Sequence, residues 1–200
     1  MNFGNTETLS DILCFGNVIR LEGMGLSFIL KRFDEVTELA YIDYISEWEQ
    51  NYEPIVPSAS KRNGMSFEEL IKKWAFEESE GISVCGFIPS TLFFMVNDKD
   101  RILGAIHFRH KLNERLIQNG GHIGYGIRSS ERRKGYATLM LNMLLNLIQA
   151  QGYEKVLITC DEDNVESART IEKNKGILFD KVPFDEVMTR RYWINLDKSC

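Results

Sequence analysis

The fold of this protein is decided by residues 122–160, which read HIGYGIRSSERRKGYATLMLNMLLNLIQAQGYEKVLITC. Apolar residues dominate both ends of the stretch, His122–Arg128 and Val156–Cys160, and each end has the length of a strand. Between them, Gly135–Ala150 has the length and pattern of a helix, which Gly152 ends as a C-terminal cap. A strand, a helix and a second strand in this order predict a parallel pair with a right-handed crossover.

The helix of this unit is apolar over most of its surface, so we expect it to be buried between other elements. Its few polar side chains lie on one narrow stripe, at Thr138, Asn142, Asn146 and Gln149.

Helices and strands alternate along the rest of the chain, and strands are the more numerous. The pattern therefore predicts a mixed α/β (α+β) sandwich with helices flanking a sheet. The predicted helices begin at Asp34, at Ser66 with a capping box to Glu69, and at Asp163. The other predicted strands cover 26–33, 91–96, 102–109, 177–182 and 186–196.

Composition limits the classes of function. The 200 residues include 24 Lys and Arg against 29 Asp and Glu, a formal net charge of −5. This balance lacks the basic footprint of a nucleic-acid binder, and no apolar run is long enough for a membrane span. The four cysteines form no CxxC pair, which is typical of reduced thiols in a cytoplasmic protein.

The N-terminal residues differ from the rest. Residues 1–25 have no basic start followed by an apolar stretch, so a secretory signal is not expected. A patterned segment begins after Met24, which is an alternative start. We expect residues 1–25 to be an extension of uncertain role, which could pack on the main domain as a strand or turn, and residues 26–197 to form one domain.

A basic loop leads into the long helix. Residues 128–137 read RSSERRKGYA, with four cations and one anion. The start of a helix carries partial positive charge and unpaired N–H groups, which repel cations and attract anions. Gly135 lets the backbone approach a phosphate closely. These features predict a pyrophosphate-binding turn, although a solvated basic turn explains the charges too. The loop is neither a P-loop nor a dinucleotide fingerprint.

The motif Arg132-x-x-Gly135-x-Ala137 resembles the central Q/R-x-x-G-x-G/A motif of the GNAT superfamily of acetyl-CoA-dependent N-acetyltransferases. A second segment, Asn164 to Gly176, is similar to the family's N-x-x-(S/A)…E-K-x-G run, through Ser167, Glu172 and Lys173. The runs GGHIGYGIRSSERRKGYA and Arg191–Leu196 look similar to a bacterial branch of the superfamily. The resemblance covers about residues 26–196. It implies a central, twisted, mostly antiparallel sheet with one splayed parallel strand pair.

The resemblance also implies how acetyl-CoA is bound. The backbone of Tyr125 and Ile127 would pair with the pantetheine arm, and Asn164 and Ser167 would lie beside it. The pyrophosphate would be held by one segment, Arg132, Arg133, Lys134, Gly135, Tyr136, Ala137 and Thr138.

One position departs from the family pattern. Many members have a tyrosine where this chain has Ile171, and that tyrosine protonates the departing thiolate. Tyr125, Tyr136 or ordered water could substitute for it. For the base that receives the proton of the amine, a histidine is a candidate. We therefore name Tyr125 and His122 as catalytic candidates.

Other sites are weighed against ordinary structural roles. A metal site is not expected, because His107 and His110 are three residues apart and an extended strand sends them to opposite faces. Cys160 is expected to be an inert core thiol. Acidic residues of the first helix region, Glu47, Glu49 and Glu53, could attract a cationic amine, or simply form a solvated face.

We therefore predict an N-acetyltransferase in which a small-molecule or peptide amine attacks the thioester directly. The alternative is a catalytically weak or inactive CoA-binding sensor, which Ile171 favours. A plain basic-patch protein is a third reading. The chain is expected to be a monomer or homodimer, with no nucleic-acid or membrane partner, and the sequence does not identify the acceptor.

Overall fold

A computed structural model describes residues 12–15, 18–23 and 26–196, with side chains from residue 27 onward. Its strands are β1 Ile12–Phe15, β2 Val18–Gly23, β3 Leu26–Arg32, β4 Ser90–Asn97, β5 Ile102–Arg109, β6 Ile123–Ile127, β7 Lys155–Asp161, β8 Ile177–Phe184 and β9 Val187–Asn195. Its helices are α1 Glu38–Gln50, α2 Phe67–Glu78, α3 Glu114–Gln118, α4 Tyr136–Ala150 and α5 Val165–Lys173. Short 3-10 helices lie at Phe33–Glu35, Ser58–Ser60, Glu80–Cys85 and Ser129–Glu131.

The strands form two antiparallel sheets. The larger has the order β1-β2-β3-β4-β5-β6, and the smaller has the order β7-β9-β8. This confirms the mixed α/β class and the mostly antiparallel arrangement. The parallel pairing of β6 with β7 is not confirmed, because the two strands lie in separate sheets. They are joined where β6 begins, by a bond of 2.7 Å from His122 N–H to the carbonyl of Leu157.

Helices cover both faces of the larger sheet, and each face has its own apolar cluster. One cluster packs α4 and α5 against the sheets, and the buried residues of α4 are Met140, Leu141, Met143, Leu144, Leu145, Leu147 and Ile148. The other packs α1 and α2 through Tyr41, Tyr44, Trp74 and Phe94. The prediction that α4 is heavily buried is confirmed.

Several local predictions need correction. The first helix begins at Glu38 rather than Asp34, because Phe33–Glu35 forms a separate 3-10 turn. Leu39, in the first turn of this helix, is 81% exposed. The capping box of Ser66 and Glu69 is confirmed. The cap of α5 is Asn164 rather than Asp163, since the Asn164 side chain accepts from the N–H of Ser167.

Two strands lie within the predicted N-terminal extension. Strand β2 pairs with β1 on one side and with β3 on the other, so both add to the edge of the larger sheet. Residues 1–11 lie outside the described residues, and the boundary between residues 25 and 26 stays a prediction. No helix in the described part of the chain is long and apolar enough to cross a membrane.

Candidate active site

Strand β6 presents an open edge toward β7. Arg109 N–H donates to the carbonyl of His122, and Arg128 N–H donates to the carbonyl of Leu103. Backbone groups alternate in direction along a strand, so those of Tyr125 and Ile127 point away from β5. The Ile127 carbonyl accepts from Arg132 Nε at 2.9 Å. The backbone of Tyr125 and the N–H of Ile127 can therefore pair with an extended ligand.

The N-terminal turn of α4, residues 133–138, is the second part of the site, and we call it the α4 turn. The N–H groups of these residues donate to no backbone carbonyl in the described part of the chain. Gly135 occupies the N-cap position without a capping side chain, and the first turn carries no acidic residue. The φ of Gly135 is +83°, and a Cβ built on Gly135 would meet no atom within 4 Å. Unpaired amides around an open glycine are suited to binding an anion.

Acidic residues from α1 and the following loop neutralise much of the basic loop. Arg128 is 2% exposed, and it pairs with Asp43 at 2.5 Å and with Glu47 at 2.6 Å. Arg132 pairs with Glu53.

Arg133 alone among the four loop cations forms no ion pair within the described residues, since Lys134 pairs with Glu131 at 2.8 Å. Three of the four loop cations are therefore compensated within the protein. The partners of Arg128 and Arg132 lie far away in sequence, whereas the partner of Lys134 belongs to the loop itself. What remains for an anion is the α4 turn and Arg133, an exposed residue with a φ of +61°.

Glu47 links α1 to the basic loop. Its carboxylate accepts from the backbone N–H of Ser130 at 2.8 Å and from the side chains of Ser129, Ser130 and Arg128. Burial disfavours the charged carboxylate, but these donors outweigh burial and lower the pKa of Glu47 to about 2. Glu47 and Glu53 are thus engaged within the protein, and their geometry does not favour attraction of an amine, one of the two roles that the sequence left open.

Tyr125 bridges the gap between β6 and α5. Its hydroxyl lies 2.9 Å from Ser167 Oγ and 3.3 Å from the Ser167 carbonyl. Burial raises the pKa of Tyr125 to about 12, so the hydroxyl stays protonated at neutral pH. Asn164 stands one turn earlier, with its Oδ1 on the N–H of Ser167 at 3.0 Å. The structure therefore brings three of the predicted site residues, Tyr125, Asn164 and Ser167, to one place.

Ile171 is fully buried in the apolar cluster beneath this group. Cys160 is buried as well, and burial raises the pKa of its thiol, which favours the uncharged form. This supports the expectation that Cys160 is an inert core residue.

His122 holds a structural position. Its Nδ1 accepts the N–H of Leu157 at 2.9 Å, so the proton of the neutral ring lies on Nε2. Burial lowers the pKa of His122 to about 4. A base needs a free lone pair facing the substrate, and this ring has none left to offer. The role of His122 as a base stays a prediction that the geometry does not support.

The sequence did not single out a cavity of about 570 Å³ on the α2 side of β5. His107 and Arg109 line it from β5. Burial lowers the pKa of His107 to about 3, so its imidazole is neutral. The signal for this pair was present, because residues two apart on a strand point to the same face. In the described part of the chain, no three metal-ligating side chains come together, and the expected absence of metal stays a prediction.

Comparison with protein families finds a match to the model of the acetyltransferase (GNAT) domain over residues 28–176. The matched range contains β6, the α4 turn and nearly all of the chain up to the end of α5. Comparison with curated protein sequences finds no significant match.

Solved structures with the same fold include a ribosomal-protein-S5-alanine acetyltransferase from Vibrio fischeri, with a TM-score of 0.60 and 14% identity over 89% of this chain and 97% of that one. A ribosomal L7/L12 alpha-N-protein acetyltransferase in complex with coenzyme A gives a TM-score of 0.57 and 17% identity, over 84% and 93%. A spermidine/spermine N-acetyltransferase from Vibrio cholerae gives a TM-score of 0.58 and 13% identity, over 84% of this chain and 94% of that one. These similarities show the fold.

Proposed function

The chain belongs to the GNAT acetyltransferase family and is thus an acetyl-CoA-dependent acyltransferase, and we propose that it acetylates an amine by direct attack. The observation that carries this proposal is that the open edge of a strand lies next to a helix start whose backbone N–H groups are unpaired. The edge is that of β6, and the helix start is the α4 turn.

The residues of the chain fit acetyl-CoA at both places. The amides of the α4 turn, with Gly135 leaving open space and Arg133 adding charge, are suited to the pyrophosphate. The edge of β6 at Tyr125 and Ile127 is suited to the pantetheine arm. The Asn164 side chain uses its Oδ1 for the N–H of Ser167, and its NH₂ has no acceptor among the described residues. Acetyl-CoA supplies an acetyl group that is activated as a thioester.

Backbone N–H groups at the β6 edge would stabilise the charge that develops on the carbonyl oxygen during attack. The leaving sulfur departs as a thiolate, because a thiol has a pKa of about 8.5. Tyr125 takes the role of the tyrosine that many family members have at the position of Ile171. With a pKa of about 12 it donates a hydrogen bond to the thiolate rather than giving up its proton fully.

None of the three histidines is a strong base, because burial lowers the pKa of each one. The acceptor must therefore reach the site as a neutral amine or lose its proton to water. We expect kcat/KM to rise with pH until the amine itself is deprotonated, at about pH 8 for an α-amino group. An inflection below pH 6.5, in the range of the lowered histidine pKa values, would instead reveal a histidine base.

The experiment measures release of free CoA thiol with acetyl-CoA and a panel of amines. In Tyr125→Phe we expect kcat to fall about tenfold to a hundredfold, the range for one hydrogen bond to a charged group. Binding of acetyl-CoA should be preserved. Tyr153→Phe is the matched control, because the Tyr153 ring packs on Phe108 and its hydroxyl donates to the carbonyl of His110 rather than contacting Ser167.

Each outcome separates the proposal from its alternative. If acetyl-CoA binds and no amine in the panel releases CoA, the chain is a CoA-binding sensor, the reading that Ile171 favours. If Tyr125→Phe retains full kcat, Tyr125 does not assist the leaving group.

A further inference from the structure

The cavity of about 570 Å³ lies on the face of the larger sheet that α1 and α2 cover. It is bounded by α2, by the 3-10 helix at Glu80–Cys85, by β5 and by α3. Strand β6 has Gly124 and Gly126 on this face, opposite His107 and Ala105. Because Gly124 has no side chain, the nearest groups above it are Pro57 and Arg109, at 3.9 and 4.0 Å from the place where a Cβ would stand.

Arg109 lies in this cavity without an acidic partner. Its Nη1 donates to the carbonyls of Gly120 and Gly121, at 2.9 and 3.2 Å. No carboxylate of the described residues lies within ion-pair distance of it. Burial lowers the pKa of Arg109, which reflects a cation withdrawn from water without a counter-charge. The buried Arg128 differs from Arg109, because it forms ion pairs with two carboxylates, those of Asp43 and Glu47.

A partly buried cation without a counter-charge is costly for a fold, and an arginine keeps its charge rather than neutralising. The cost is offset when a ligand brings the anion. Arg109 uses one nitrogen for the two carbonyls, and its remaining donors fit the two oxygens of a carboxylate.

The other charges of the cavity agree in sign. Lys73 and Arg115 also line it, and the single carboxylate, Glu77, is paired with Lys73 at 2.9 Å. His107, next to Arg109 on the same face, is neutral. The cavity is therefore positive, which disfavours an acceptor that carries several ammonium groups.

Arg109 is also close to the strand where acetyl transfer is proposed. Its Nη2 lies 4.0 Å from the point where Gly124 would carry a Cβ. Gly124 directly precedes Tyr125. A group held by Arg109 is thus anchored against the same strand that presents Tyr125.

We infer that the acceptor is an amine that also carries a carboxylate, which Arg109 binds in this cavity. The inference rests on the proposed acetyltransferase function and names the class of its substrate. A free amino acid and a peptide with an acidic residue at its N-terminus both have this chemistry.

The experiment compares acceptors that differ only in the carboxylate. Free amino acids are paired with their amides, and short peptides beginning with Asp or Glu are paired with those beginning with Asn or Gln. We expect kcat/KM to be about tenfold to a hundredfold higher for the carboxylate member, the range for one charge-assisted interaction. The pair with the larger ratio identifies the source of the carboxylate. Spermidine should be a poor acceptor.

Arg109→Met should lower kcat/KM for the carboxylate member of each pair to the value for its amide partner, so that the preference is lost. Arg109→Lys should retain part of it, because the charge stays and the planar fork is lost. Arg62→Met, which removes an exposed cation outside the cavity, is the control.

The outcomes distinguish the two proposals. Turnover of amines without preference for the carboxylate, in the wild type, overturns the inference and leaves the acetyltransferase function standing. If Arg109→Met does not fold, this wild-type comparison decides alone. If no amine is acetylated, calorimetry with N-acetyl-aspartate against N-acetyl-asparagine amide decides it, since equal affinity, or none, overturns the carboxylate site.

Discussion

Single residues of the basic loop acquire their roles from partners far away in sequence. Arg128 and Glu47 are 81 positions apart, and they meet at 2.6 Å between β6 and α1. The loop sequence alone suggested a bare cationic surface. The positions of the acids could not be predicted, because they depend on how α1 packs across the sheet.

Glu47→Gln tests this link at the residue scale. The variant keeps the shape of the side chain and removes the charge that faces Arg128. At pH 7 we expect the free energy of unfolding to fall by on the order of 3 kcal/mol, because a buried cation loses a partner. Urea unfolding measures the change.

The pH dependence of this loss follows from the sign of the pKa shift. The pKa of Glu47 lies at about 2 in the folded state, below its ordinary value of 4.5. Its contribution is therefore complete above pH 4.5 and disappears as the pH falls toward 2. The difference between wild type and Glu47→Gln should shrink over that interval. Glu49→Gln, at an exposed position of the same helix, should change little, and equal stability of all three proteins at pH 7 would contradict the account.

At the scale of elements, the loop after α1 passes directly over β6. A Cβ on Gly126 would lie 2.2 Å from the carbonyl oxygen of Val56. On Gly124, two residues earlier on the same face, the nearest atom would be 3.9 Å away, in Pro57. The loop therefore rests on one glycine of the strand and leaves ordinary contact distance at the other.

This difference predicts opposite outcomes for two matched substitutions. Gly126→Ala should push the Val56 segment off the strand and destabilise the protein by about 1–3 kcal/mol, the usual cost of overpacking. Gly124→Ala should be neutral or slightly stabilising, because alanine loses less chain entropy than glycine. Thermal unfolding of both variants checks this. Equal melting temperatures would show that the loop does not press on β6.

The elements themselves were largely predictable from the sequence. The apolar pattern of residues 122–160 gave the order strand, helix and strand, and the structure has β6, α4 and β7 there. The separation of β6 from β7 into two sheets was not readable from periodicity. The two strands are bonded at His122 and Leu157, where β6 begins, but no ladder of hydrogen bonds continues beyond that point. Hydrogen bonding between distant segments leaves no local pattern in the sequence.

At the scale of the whole molecule, the candidate site lies where the two sheets diverge. The spacing of residues in the sequence was enough to identify the α4 turn and the segment at Asn164, because each of them begins a helix that follows a strand. The cavity around Arg109 could not, since its lining comes from α2, β5, α3 and the segments between them. Chemistry carried by one short motif was predictable, and chemistry assembled from several elements was not.

The central claim concerns the α4 turn, and a matched pair of glycines allows it to be tested. Gly135 precedes α4 and Gly152 follows it, each with positive φ and with open space where a Cβ would stand. Substitution to glutamate imposes the same backbone strain at both ends of the helix, at a cost of about 1 kcal/mol. Only Gly135→Glu places a negative charge at the proposed pyrophosphate site.

Titration calorimetry with acetyl-CoA on the wild type, Gly135→Glu and Gly152→Glu is the most direct measurement. We predict equal affinity for the wild type and Gly152→Glu, and a dissociation constant for Gly135→Glu that is at least about tenfold higher, the minimum loss expected for charge-assisted bonds to the turn. Equal affinity of all three proteins, or no binding to the wild type, would contradict the account.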